Sequence, residues 1–184
     1  SLLPVTADVP RDPEVEALLA GYAPALNEVV GTLGSPLTAT REGPSPLGDL
    51  AAEAIRSVTG TDVSVMPRGA VWSTLDAGPV TAADICRIHW QRVPVLTARV
   101  KGTTIGGLGR TPDALFSGCD VEDSTVVRIN GVPVDTAAYY TLSAPISAFI
   151  RIESLRDLSV SHTGYRVDTA IERYLRLKGS VQPN

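Results

Sequence analysis

The sequence predicts one domain of mixed α/β class, a mixed β-sheet packed by helices, spanning residues 1–184. Three observations predict it. The chain has 184 residues with 43% hydrophobic content, enough for one proper core. Segments with a three- and four-residue apolar rhythm alternate irregularly with short β-branched runs, and glycine- or proline-rich breakers separate them.

Each element follows from its own pattern. Val15, Leu18, Leu19, Tyr22, Leu26 and Val29 share one helical face, so an amphipathic first helix is expected over about residues 12–30, kinked at Pro24. From Gly31 to Pro46 the breakers Gly34, Pro36, Gly43 and Pro44 predict a strand and then a loop. Ser45-Pro46 opens a second helix, Ser45 as a side-chain cap and Pro46 in the first turn, and Gly60 closes it. Asp62 to Met66 and Val93 to Val100 read as strands around a short helix at Thr81 to Arg87. Asn130-Gly131 between Thr125–Ile129 and Val132–Val134 is a hairpin signature, since both turn residues need positive φ. Tyr139 to Ala144 is another strand. A last helix runs from Val167 to Lys178 and stops at Gly179. Gly106-Gly107-Leu108-Gly109 lacks the Walker spacing and reads as a turn.

Charge and composition remove several functions. The formal net charge is -4, and only Lys101 and Lys178 are lysines, so no basic cluster invites nucleic acid. No apolar run approaches the roughly 20 residues needed to cross a bilayer, and no membrane contact is expected. No basic-then-apolar signal opens the chain, and the compartment stays open. Cys86 and Cys119 are expected to be free, buried thiols. With His89 and His162 as the only histidines, a metal centre and a cofactor are not expected. Asp120, Glu122 and Asp123 read as a solvated acidic loop.

Five ordered segments resemble the C-terminal domain of 5'-nucleotidases. Ser45-Pro46-Leu47-Gly48-Asp49-Leu50 is similar to the family's Glu-Ser-x-Leu-Gly-Asn/Asp-Leu helix start, and Gly78-Pro79-Val80-Thr81 to its Gly-x-Val/Ile-Thr. Asp84 through Gly102, Asn130 through Leu142, and Asp168-Thr169-Ala170-Ile171 with Tyr174-Leu175 resemble its later elements in order. The resemblance implies a domain that clamps a base between two phenylalanines and contacts nucleotide through arginine and asparagine. In the family a separate metallophosphoesterase domain performs the hydrolysis, and members are often exported.

The departures fall on the ligand contacts. Where the family has Asn-x-Gly-Gly-Ile-Arg, this chain has Pro67-Arg68-Gly69-Ala70-Val71-Trp72; where it has Pro-Phe-Gly-Asn, this chain has Trp90-Gln91-Arg92-Val93. The second stacking position falls near Asp113, with Phe116 as a shifted substitute, and Arg151 to Asp157 replace a Gly-Gly-Asp-Gly segment. Trp72, Trp90, Gln91, Arg92 and Arg68 are therefore the candidate ligand-binding residues, suited to an anionic or aromatic small molecule. Two other readings remain: a metal-independent enzyme of a bacterial biosynthetic pathway with His89 as acid or base, and a supporting domain for a metallophosphoesterase domain on the same or another chain.

Overall fold

A computed structural model describes residue 6 and residues 9–88 and 92–182. In it α1 (Pro13–Leu26) leads to β1 (Val29–Leu33), β2 (Leu37–Thr38) and α2 (Pro46–Thr59). Then come β3 (Val63–Pro67), β4 (Thr74–Leu75), β5 (Gly78–Thr81) and α3 (Ala82–Ile88). The middle of the chain forms β6 (Pro94–Lys101), α4 (Gly102–Leu108), β7 (Ala114–Ser117), β8 (Cys119–Glu122), β9 (Thr125–Ile129) and β10 (Val132–Pro133). It closes with β11 (Tyr139–Pro145), α5 (Ile146–Arg151), β12 (Val160–Arg166), α6 (Val167–Lys178) and β13 (Ser180–Val181).

The central sheet has the order β12-β6-β11-β3-β7, with β3 and β11 parallel and the remaining neighbours antiparallel. Side chains alternate across it, as the pleat requires. On β3, Val63 and Val65 enter one core with Leu96, Ala98, Leu142 and the apolar residues of α4 and α5; Met66 enters the other, with α2, α3 and α6. Helices thus cover both faces. A small sheet, β13-β1-β5, joins the two ends of the chain, and β8, β9 and β10 form a separate meander.

Beneath α2 the sheet carries a transverse row of hydroxyls. Cross-strand registry aligns Ser161, Thr97, Ser143, Ser64 and Ser117 on neighbouring strands. Ala51, Ala52 and Ala54 are fully buried on α2 and bring its backbone close, so the Ser64 hydroxyl donates to the Ala52 carbonyl at 2.6 Å. Ser143 bonds Thr61 at 2.7 Å. Buried hydroxyls need such partners, and the row places α2 in register with the sheet.

Several expectations need correction. The first helix ends at Leu26 because Val29 and Val30 join β1, and none of its residues is buried: its apolar face is exposed, from 39% at Leu26 to 62% at Leu19. Ser45 makes no cap bond; its hydroxyl accepts the Thr40 amide instead, tying the preceding loop together. Gly106 and Gly107 lie inside α4, not in a turn, because Ile105 and Leu108 anchor that short helix in the core. Gly102 begins it, and a Cβ there would collide with the Asp135 carbonyl oxygen, which only glycine avoids. The acidic Asp120 and Glu122 lie on β8, and Asp123 turns the chain into β9 with φ of 46°. The Asn130-Gly131 turn has φ of 50° and 78°, as its residue types predict.

Candidate ligand-binding site

The end of β3 turns sharply. The Arg68 amide donates to the Asp113 carbonyl at 2.5 Å, and Gly69 supplies a φ of 79°. The backbone then runs to Trp72, whose amide donates to the Ile88 carbonyl at 2.9 Å. Three non-glycine residues at this end of the sheet adopt left-handed backbone: Ser73 at 69°, Arg92 at 49° and Asp113 at 57°. Such conformations cost free energy and persist where surrounding contacts enforce them.

These segments wall a cavity of about 330 Å³. Arg41 reaches it from the loop before α2, Arg68 from the turn after β3, and Arg151 from the last turn of α5. The Arg41 guanidinium lies over the Trp72 indole, 5.2 Å from the ring centroid, and Trp72 is 38% exposed, so the ring is within reach of a ligand. Arg68 donates to the Gly43 carbonyl, which ties the loop to the turn. Asp113 and Ser147 complete the polar lining. Among the described residues, no ion pair with a carboxylate engages Arg41, Arg68 or Arg151. The wall is cationic and its guanidiniums keep donors to spare.

The structure brings two of the expected residues, Trp72 and Arg68, into one cavity. Arg92 is exposed and not among its walls. His89, Trp90 and Gln91 lie outside the described residues. Phe116 faces a different cavity, whereas Asp113 takes a place in this one. Arg41 and Arg151 were missed by sequence reasoning. Arg151 carried a signal, standing where the Gly-Gly-Asp-Gly segment is replaced; Arg41 carried none beyond its place in the helix-start segment. Among the described residues no group of three or more His, Cys, Asp or Glu could hold a metal ion, and no helix is long and apolar enough to cross a membrane.

Helices on both faces of a mixed sheet make this an α/β domain, and its fold resembles that of the 5'-nucleotidase C-terminal domain. The family model described as 5'-nucleotidase, C-terminal domain matches residues 28–108. Among solved structures, the 5'-nucleotidase precursor of Thermus thermophilus superposes with a TM-score of 0.74 at 21% identity, over 92% of this chain and 41% of that one. The NAD nucleotidase of Haemophilus influenzae gives 0.68 at 13% identity, over 94% and 40%. The sulfate thiohydrolase SoxB of Thermus thermophilus gives 0.67 at 20%, over 96% and 38%. The chain therefore spans less than half the length of these structures. No curated protein matches it by direct sequence comparison.

Proposed function

We propose that this is a ligand-binding domain whose cavity takes a small anionic ligand with an aromatic part, in place of a nucleotide held in the family's manner. The observation that carries the reading is the convergence of Arg41, Arg68 and Arg151 beside the exposed Trp72. Planar guanidinium forks match carboxylate and phosphate oxygens, and an indole face takes a flat ring. Pro67 and Trp72 stand where the resemblance places a nucleotide-contacting asparagine and arginine, and neither makes those hydrogen bonds. The fold recurs in proteins named for a nucleotidase, an NAD nucleotidase and a sulfate thiohydrolase, so it tolerates a change of substrate.

Calorimetry with phenyl phosphate, benzoate, AMP and adenosine tests the reading. Phenyl phosphate is expected to bind, and Arg41→Ala or Arg151→Ala to weaken it about tenfold or more, since hydrogen bonds to charged groups contribute about 1.5–3 kcal/mol. Micromolar binding of AMP overturns the loss of nucleotide recognition; failure of both anions overturns the site.

The share of the solved structures that this chain spans favours a second reading, in which the domain works beside a metallophosphoesterase domain. The gene upstream of Ser1 tests it. An Asp-x-His and Asn-His-Glu region there supports it, and a stand-alone frame favours the first reading.

A further inference from the structure

A second cavity, of about 540 Å³, opens where the start of α2 meets β7, α6 and the segment at β13, on residues that do not wall the arginine site. Its polar lining differs in sign. Asp49 and Glu53, one turn apart on α2, face it with Ser117, Tyr174 and Gln182, and Phe116 supplies an aromatic wall. Glu53 is already committed, accepting from Arg56 at 3.0 Å and from the Ser117 hydroxyl. Asp49 is exposed at the edge of the cavity and accepts no hydrogen bond from the described residues; partial desolvation holds its carboxyl above the usual range, with Arg68 pulling it partly back.

Tyr174 is the more telling group. It is 7% exposed and lines the cavity, yet its hydroxyl has no hydrogen-bond partner among the described residues. Lys178 lies over its ring at 5.7 Å from the centroid and is not among the cavity's walls. A phenol on a cavity wall without a protein partner is satisfied by water or by a bound polar group, and a ligand that reaches it can take over that bond. An uncommitted carboxylate, a phenol oxygen and aromatic faces around an apolar space recognise a primary ammonium on an apolar body. The ammonium donates to carboxylate and phenol, and the body covers the ring.

We propose that this cavity is a second binding site, for a small primary amine with an apolar or aromatic body, lined by residues other than those of the anion site.

Phenethylamine is the probe, with 2-phenylethanol and 3-phenylpropionate as neutral and anionic counterparts, read by thermal shift and by calorimetry. Phenethylamine is expected to raise the apparent Tm with concentration, as binding to the folded state must, while the two counterparts do so at least tenfold less effectively. Asp49→Asn is expected to raise the Kd tenfold or more. Tyr174→Phe is expected to raise it threefold or more without lowering the Tm of the free protein, because it removes an unpaired buried group. Arg41→Ala, in the other cavity, should leave amine binding unchanged. The proposal is overturned if the alcohol binds as well as the amine, if Asp49→Asn is without effect, or if Arg41→Ala abolishes the binding. It is also overturned if Tyr174→Phe lowers the Tm while binding persists, which would assign the hydroxyl a structural partner.

Discussion

Cys86 and Cys119 have the same chemistry and opposite environments. Cys86 is exposed on α3, against the expectation of a buried thiol, whereas Cys119 is half-buried at the start of β8. Burial, with Asp120 adding to it, pushes the Cys119 thiol up to about 11, so almost none of it is thiolate at neutral pH. A disulfide reagent added to the native protein is expected to label one thiol promptly and the second only after unfolding. Cys86→Ser should abolish the prompt phase and Cys119→Ser should spare it. At this scale the sequence was informative where a motif framed the residue. Arg68 and Trp72 stood inside a recognisable segment, and both line the arginine cavity. Arg151 belongs to a short helix that no motif announced, and its approach to Arg68 depends on tertiary packing. The Tyr174 hydroxyl was invisible for the same reason: periodicity shows that Tyr174 is buried and says nothing of what its oxygen meets.

Among the elements, α3 shows how a short helix is held. The Thr81 amide and hydroxyl donate to Asp84 at 2.9 and 2.7 Å, and the Asp84 amide returns a bond to Thr81 at 3.3 Å, a reciprocal cap. The Thr81 hydroxyl, with its amide and Arg87 adding to it, holds the Asp84 carboxyl below the usual range. A depressed carboxyl stabilises the fold above its unfolded pKa and loses that contribution as pH falls through the folded one. Asp84→Ala is therefore expected to cost about 1 kcal/mol at pH 7, with the gap narrowing below about pH 4. Urea unfolding at both pH values checks it. Elements with a strong local signal were legible: α2, α6, the Asn130-Gly131 hairpin and the strands at β3 and β6. Those missed include α4, α5 and β12, beside the short strands β5, β7 and β8. Glycines disguise α4, α5 has six residues, and β12 is mostly exposed, so its Val-Ser-His-Thr-Gly pattern carries no apolar alternation. α1 was legible as a helix and misleading as a core element, because an amphipathic stripe predicts a buried face only when something is packed on it.

For the whole molecule, the α/β class followed from the irregular alternation of helix and strand patterns and the family resemblance from the order of five segments, and the strand order followed from neither. β1 lies beside β13, and β3 beside β11, through pairings that local patterns cannot specify. The β1–β13 seam is held by the Thr32 amide on Gly179 at 2.9 Å and the Gly34 amide on Val181 at 3.0 Å. Ending the chain at Lys178 is expected to cost on the order of 2–3 kcal/mol, from two hydrogen bonds and the half-buried Val181. A lower urea midpoint with an unchanged far-ultraviolet spectrum is the outcome to look for. The interleaved strand order also governs how the protein is made. As synthesis proceeds, β3 waits for β11 and β1 for β13, so the central sheet cannot close before β12 is made, nor the small sheet before β13. Until then unpaired strand edges stand open, and maturation is expected to be slow and aggregation-exposed because most of its defining pairs are distant in the chain.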